Sequence, residues 1–267
     1  MINKCLIKKS VILFWLFLII ASIIYGQENN SKIWSEGTAY ILPQKRVELG
    51  LFQPLRYGQS QNIEWSTHPI YFFIIPNFSL KWFNGFYNNL AIASRYSVYY
   101  PTMLLRTIAR EGTGGIISPE FDIPQMVAFN GEALFSKSLN QNTLITLKIG
   151  LAFGIKFGGL DERTTIDLPL VYYRLAVFYH GYQLRSGLDL DGHLYKRWHF
   201  ALDADYYYIP SVENNKAFEH KGLLIWKKSE MTQYTLGYKL VYGEYPFGSQ
   251  WHLFLPIFDI QIAWMRN

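Results

Sequence analysis

Apolar and polar residues alternate in segment after segment of this chain. The clearest case is residues 145–155, in which every odd position is apolar and the even positions carry Thr146, Lys148 and small residues. Successive side chains of a β-strand point to opposite faces of its sheet, so this segment is predicted to form a strand with one apolar and one polar face. An unbroken apolar face opposite a lysine is typical of a strand that lies between lipid and the polar interior of a barrel.

The same alternation predicts strands along most of the chain. The predicted strands are residues 38–42, 45–56, 63–67, 77–83, 90–100, 126–136, 143–155, 177–194, 198–209, 217–227, 231–242 and 251–265. The first two form a predicted hairpin around Pro43. Two longer stretches, residues 101–125 and 157–175, contain prolines and break the alternation, so they are predicted to be loops.

The number of strands depends on residues 177–194, which make one long strand or, if they divide near Gly181, two. Single-chain bacterial barrels have an even number of strands, with both termini and the short turns on the periplasmic side. One long strand places the short turns together on that side, near Gln59, Gly85, Gln141, Lys196 and Lys228. The predicted fold is therefore all-β, a single antiparallel transmembrane β-barrel of about 12 strands, with about 10 as the alternative because the first hairpin has a weak pattern.

The N-terminus has the three parts of a cleaved signal peptide, residues 1–26. Lysines precede the apolar stretch 11–24, and a polar sequence follows it. An uncleaved membrane anchor is the alternative, but this stretch is shorter than the roughly 20 residues that a membrane helix needs. Cleavage would leave a periplasmic N-terminal tail, residues 27–37, and a barrel, residues 38–267. It would also remove Cys5, the only cysteine, and with it any disulfide or cysteine metal site.

The composition also favours a membrane barrel. Aromatic residues make up 18% of the chain and charged residues 17%, and outer-membrane barrels carry aromatic girdles on both sides of their apolar band. The formal charge of +5 falls to about +2 without the signal-peptide lysines, which gives no basis for nucleic-acid binding. A soluble barrel or sandwich with its apolar face inward is the alternative. It would place the charged residues of the strand centres outside and the Trp and Tyr bands inside.

Two stretches resemble outer-membrane β-barrel proteins of Gram-negative bacteria. The final strand, Phe258-Asp259-Ile260-Gln261-Ile262-Ala263-Trp264, resembles the terminal assembly signal of these proteins. The run Leu55-Arg56-Tyr57-Gly58-Gln59-Ser60-Gln61-Asn62-Ile63-Glu64 is similar to a strand–turn–strand of porin-like barrels. The resemblance implies contact with outer-membrane lipid, and insertion by the barrel-assembly machinery through the last strand. It implies nothing specific about activity.

Charged residues are predicted to collect on the inner face of the barrel. The acidic candidates are Glu48, Glu64, Glu132, Asp189, Asp191, Asp203, Asp205 and Asp259, and the basic candidates are Arg56, Arg95, Lys148, Arg185 and Lys239. Buried charges persist when they are paired, and a twelve-strand barrel lies between the filled eight-strand kind and the open sixteen-strand porins. These residues therefore line a narrow wet channel, interlock as a plug, or form ion-pair networks without ligand selectivity.

The motifs expected of an enzyme are absent from the sequence, which predicts no catalytic residue, metal site or cofactor. Ser66 and His68 share a face, but a hydrolase would need a third polar group beside them. Asp189, Asp191 and His193 also share a face, but they span roughly 13 Å, too far for one metal ion. The main hypothesis is a non-enzymatic narrow pore or surface scaffold. An outer-membrane lipid hydrolase and a binding or adhesion barrel that works through its outer loops are the alternatives.

Overall fold

The computed structural model describes residues 36–161, 164, 177–178, 181–210, 216–245 and 248–266. The predicted signal peptide, residues 1–26, and residues 27–35 of the predicted tail lie outside the described residues. The described strands are β1 (Arg46–Gly50), β2 (Leu55–Gly58), β3 (Ile63–Thr67), β4 (Asn77–Tyr87), β5 (Leu90–Tyr99), β6 (Gln125–Asn140), β7 (Thr143–Phe157), β8 (Tyr182–Tyr195), β9 (Trp198–Tyr208), β10 (Lys216–Ser229), β11 (Thr232–Tyr245) and β12 (Gly248–Met265). Two short helices are α1 (Pro69–Phe72) and α2 (Thr102–Ile108). Among the described residues, no helix is long and apolar enough to cross a membrane.

The strands form one closed antiparallel barrel. Each strand pairs with its neighbours in sequence, and β12 pairs with β1 to close the ring, from Arg46 opposite Met265 to Gly50 opposite Gln261. The prediction of an all-β antiparallel barrel with twelve strands is therefore confirmed.

The predicted first hairpin is wrong, although the number of strands is right. Residues 38–42 form no strand, and the predicted strand 45–56 is two strands, β1 and β2, with a turn at residues 51–54. The sequence conceals this turn because Val47, Leu49 and Leu55 stay in phase: Leu49 and Leu55, the outward residues on either side of the turn, are six positions apart. One strand is lost and one is gained, so the total is unchanged.

The predicted strand 177–194 is also longer than the strand in the structure. β8 begins at Tyr182, while Val177 and Phe178 are buried in an apolar cluster. Their apolar side chains pack inside the barrel instead of continuing its wall.

The two ends of the barrel differ in their connections. At one end, here called the short-turn end, turns follow β2, β4, β6, β8 and β10. At the other, the long-loop end, longer loops follow most of the remaining strands and include both α1 and α2. The wall is also uneven. β1, β2 and β3 have 5, 4 and 5 residues, whereas β5 has 10 and β12 has 18.

The outer surface of the barrel is apolar and its interior is polar. Outward side chains such as Phe129, Leu147 and Ile149 are exposed, while inward ones such as Glu132, Thr146 and Lys148 are buried. This distribution is the reverse of that in a soluble protein, in which charged residues are rarely buried and large apolar ones usually are.

Two apolar clusters occupy part of the interior. At the long-loop end, Leu105 and Ile117, from α2 and the loop after it, pack on Met126 and Phe178. At the short-turn end, a second cluster is formed by Ala39, Phe83, Ala91, Ala93 and Leu134. Ala39 belongs to residues 36–42, here called the inner segment, which lies inside the barrel and continues to β1 at the short-turn end.

Candidate functional site

A cavity of about 760 Å³ lies inside the barrel. Phe52, Gln53 and Tyr71 line it at the long-loop end, and Asn142 and Lys196 line it at the short-turn end. The cavity therefore reaches from one end of the barrel to the other, beside the two apolar clusters. Its walls carry most of the charged residues that the sequence assigns to the inner face.

A first ion cluster lies where β1 to β4 meet the inner segment. Arg56 bonds Glu48 at 3.1 Å and Glu64 at 2.9 Å, Arg46 bonds Glu48 at 2.7 Å, and Lys81 lies 3.6 Å from Glu64. The guanidinium of Arg56 donates two hydrogen bonds to Glu64, from Nε and Nη2. Such a bidentate pair fixes orientation as well as charge.

This first cluster also holds the inner segment in place. Lys81 Nζ donates to the backbone carbonyls of Glu36 at 2.9 Å, Thr38 at 3.3 Å and Tyr40 at 3.3 Å. Glu64 Oε2 accepts the backbone N–H of Leu42 at 2.9 Å. Backbone groups that leave water need such partners. Lys81 and Glu64 therefore provide hydrogen bonds that a neighbouring strand would provide in a sheet.

A second ion cluster crosses β5 to β9. Lys148 Nζ bonds Asp189 at 2.6 Å and Asp205 at 2.9 Å, and Arg185 bonds Asp205 at 2.6 Å and also Glu132. The remaining member is Arg95, whose Nε lies 2.6 Å from Glu132.

The charges of the second cluster balance, because three cations face three carboxylates. Gly187 makes room for it, since a Cβ there would collide with the Asp205 carboxylate and the Lys148 side chain. Asp189 and Asp205 therefore do not form an uncompensated negative patch.

The four remaining predicted residues have other described partners or positions. Asp203 pairs with Lys221 at 2.9 Å, and Lys239 pairs with Glu219 at 3.0 Å. Asp259 accepts the backbone N–H of Leu51 at 2.7 Å. Asp191 is buried and lines the cavity. The structure thus places the thirteen candidates inside the barrel, where they have several different partners.

Sequence reasoning missed several inner charges: Glu36, Arg46, Lys81, Glu219 and Lys221. Lys81 was recoverable from alternation, because it lies between the outward Leu80 and Trp82. Lys221 was harder to find, because the apolar Leu223 has the same parity and also lines the cavity. An apolar residue on the inner face conceals the phase of its strand.

The described residues contain no group of three His, Cys, Asp or Glu side chains that could hold a metal ion. Ser66 and His68 both line the cavity, but within the described chain neither ring nitrogen of His68 has a hydrogen-bond partner. His68 instead packs its ring on Tyr71, with the ring centroids 4.0 Å apart. The chemistry that this interior offers is ion pairing and solvation of small polar groups.

No family model and no curated protein matches the chain. Among solved structures, similarity is found to a "bacterial polysaccharide outer membrane secretin", at a TM-score of 0.45 and 7% identity over 83% of this chain and 70% of the other. The chain is also similar to the CymD monoaromatic hydrocarbon channel, at a TM-score of 0.36 and 9% identity over 82% of this chain and 50% of the channel. A third similar structure is OccK11 (OpdR) of Pseudomonas aeruginosa, at a TM-score of 0.40 and 9% identity over 84% of this chain and 64% of the other. The class of this protein is defined by its own strand pairing: a closed antiparallel β-barrel with an apolar exterior and an ion-paired interior.

Proposed function

We propose that the protein is an outer-membrane β-barrel that passes small solutes or ions along its interior, without catalysis. The observation that carries this proposal is the cavity of about 760 Å³, which is lined by residues from both ends of a closed barrel. A closed wall satisfies the strand backbone, and a polar cavity inside it gives small hydrophilic solutes a path.

The exterior supports a location in a membrane. Large apolar side chains are exposed on strand after strand, and soluble monomers rarely expose contiguous apolar patches above a few hundred Å². Hydrocarbon is the environment in which such a surface is stable, and an aqueous interior is the environment for the ion clusters. The signal peptide expected from the sequence supports export to the outer membrane.

The orientation follows from the two ends of the barrel. In bacterial barrels the short turns and the termini face the periplasm, and the long loops face outward. The inner segment then joins β1 on the periplasmic side, and α2 packs on the apolar cluster at the outer end. Both features narrow the interior, so the proposed pore is narrow.

The last strand supports the proposed partners, outer-membrane lipid and the barrel-assembly machinery. Phe258, Ile260, Ile262 and Trp264 point outward from β12 as an exposed apolar row. The opposite face of the strand carries Asp259 and Gln261, both buried. A strand with one apolar and one polar face suits contact with lipid on its outer side and recognition by an insertion machinery.

Conductance of the refolded mature protein in a planar bilayer tests the pore. We expect discrete openings, because the cavity reaches both ends of the barrel. Two adjacent cysteine variants give a matched control: Leu223→Cys, whose parent side chain lines the cavity, and Leu224→Cys, whose parent side chain is exposed on the outer surface. A cationic methanethiosulfonate reagent should reduce the current through Leu223→Cys stepwise and leave Leu224→Cys unchanged. A silent bilayer, or equal effects on the two variants, would contradict the proposal.

A further inference from the structure

One sector of the barrel wall is built from loops in place of strands. This loop sector consists of residues 51–54 and 68–76, which follow β1 and β3 at the long-loop end. A strand needs about 9–11 residues to cross a membrane, whereas β1, β2 and β3 have 5, 4 and 5. Within the described chain, β12 pairs with β1 only over residues 261–265. The sheet therefore covers only the short-turn half of the span in this sector.

The backbone of the loop sector has dedicated hydrogen-bond partners. Asp259 accepts from the N–H groups of Leu51 at 2.7 Å and Phe52 at 3.3 Å. The Asn77 side chain accepts from His68 N at 2.7 Å and donates to Ile75 O at 2.8 Å. Irregular backbone is tolerated at membrane depth only where its polar groups are satisfied or line a cavity. The loop sector meets this requirement.

The loop sector contains no acidic residue, lysine or arginine. Its two sequences are Leu-Phe-Gln-Pro, at 51–54, and His-Pro-Ile-Tyr-Phe-Phe-Ile-Ile-Pro, at 68–76. The loop after β5, in contrast, contains Arg110 and Glu111. On the outside, Phe73 is 79% exposed and Ile70 is 50% exposed.

Other residues of the loop sector face inward. Phe52, Pro54, His68, Tyr71 and Ile75 line the cavity. The same two short loops therefore contribute residues to the cavity lining and exposed apolar residues to the outer surface.

We propose that the loop sector is a lateral passage, through which small apolar solutes move between the cavity and the outer half of the bilayer. This inference rests on the proposed function, because it requires the barrel to span a membrane. The solute class follows from the lining: the aromatic rings of Phe52 and Tyr71 suit a small aromatic molecule, and the Gln53 amide and the His68 imidazole can hydrogen-bond a polar group on it. The ion clusters below the sector offer such a solute no apolar path along the barrel axis.

The depth of the loop sector is tested with spin labels on single cysteines, since the mature chain expected from the sequence has none of its own. A label at Phe73→Cys should be relaxed more by oxygen than by a water-soluble nickel chelate, as at Ile149→Cys on the outer face of β7. A label at Gln141→Cys, in a short turn, should show the opposite. Nickel access at Phe73→Cys would place the loop in water and overturn the passage. Exclusion of both reagents would mean that a second copy or another protein covers the sector, and would also overturn it.

Transfer is tested on cells that express the full chain, with N-phenyl-1-naphthylamine, a small aromatic probe that fluoresces in hydrocarbon. Expression should raise the initial rate of fluorescence gain. Tyr71→Arg should lower the added rate about tenfold. The apolar probe could pass only by displacing water from the new guanidinium, and removing water from a charge costs free energy. Leu223→Arg, which places the same charge on another wall of the cavity, should retain most of the added rate.

Conductance separates the two levels of inference. If the native protein and Tyr71→Arg both conduct ions but the probe enters both at the same rate, the lateral passage is wrong and the pore stands. If none of the variants conducts, the proposed function itself fails. Assembly of each variant is checked by heat-modifiable mobility, and Phe52→Gln replaces Tyr71→Arg if the arginine prevents assembly, with the same expected loss of probe transfer.

Discussion

At the residue scale, the interior is organised by ion pairs between strands that are neighbours, or nearly so, in the barrel. Lys148 on β7 bonds Asp189 on β8 and Asp205 on β9, so one ammonium group neutralises carboxylates from two other strands. Its side chain is 3% exposed. A buried charge that loses its partner costs more than the pair contributes, so this cation is expected to matter more for stability than its single charge suggests.

Lys148→Met should lower the free energy of unfolding by about 3 kcal/mol, because it leaves buried carboxylates without their cation. Asp205 keeps Arg185, so most of the loss should come from Asp189. The double variant Lys148→Met/Asp189→Asn should therefore recover a large part of the lost stability. Urea unfolding in lipid vesicles measures all three proteins. A double variant less stable than Lys148→Met would show that Asp189 does not depend on Lys148.

At the element scale, the inner segment is the part of the fold that the strand pattern does not reveal. It runs inside the wall and is held by Lys81, Glu64 and Ser136, whose Oγ accepts the N–H of Ala39 at 2.7 Å. Glu36 and Gly37, which belong to the predicted tail, also line the cavity. The segment reduces the open cross-section beside the first ion cluster.

Lys81→Met should increase single-channel conductance, because it removes the donor to the carbonyls of the inner segment and lets the segment leave the cavity. Lys221→Met is the matched control, since Lys221 pairs with Asp203 and has no hydrogen bond to that segment among the described contacts. Bilayer recordings at one salt concentration compare the two. Equal conductance in the native protein and Lys81→Met would mean that the inner segment does not limit the pore.

At the scale of the whole molecule, the two ends of the barrel should be distinguishable from outside the cell. Arg110 is exposed near the tip of the loop between β5 and β6, whereas the rest of that loop packs on the apolar cluster through Leu105, Ile117 and Ile123. Lys196 and Arg197 lie in a turn at the opposite end. The proposed orientation therefore exposes only the first of these sites to an external protease.

Trypsin added to intact cells should cut after Arg110 and leave Lys196 and Arg197 intact. Cutting at the second pair should require a permeabilised outer membrane. Mass spectrometry of the fragments identifies the sites. Cleavage at Lys196 in intact cells, with Arg110 protected, would reverse the orientation and place the inner segment on the outer side.

The sequence by itself determined the class of fold and the inner face of most strands. Alternation between neighbouring positions is a local property, because each side chain of a strand points opposite to the next. It therefore predicted the barrel and the inward parity of residues such as Lys148 and Asp205, while the number of strands was right because one missed strand offset one strand that does not form. Odd or even position along a strand shows which face a side chain is on, but not how far it lies from other inner side chains. It therefore could not show that Lys148 pairs with Asp205, or that Asp259 accepts a hydrogen bond from the loop residue Leu51.

Only the tertiary structure decided where the wall ends and what fills the interior. The turn after β1 keeps the phase of alternation, so β1 and β2 look like one continuous strand in the sequence. Residues 38–42 have an apolar pattern suited to a strand, but their backbone is satisfied by Lys81, Glu64 and Ser136 in place of a neighbouring strand. The turn after β1 is held by Asp259 of β12, which closure of the barrel brings to β1 from the opposite end of the chain. The partners of residues 38–42 come from β3, β4 and β6, which the fold brings around this segment.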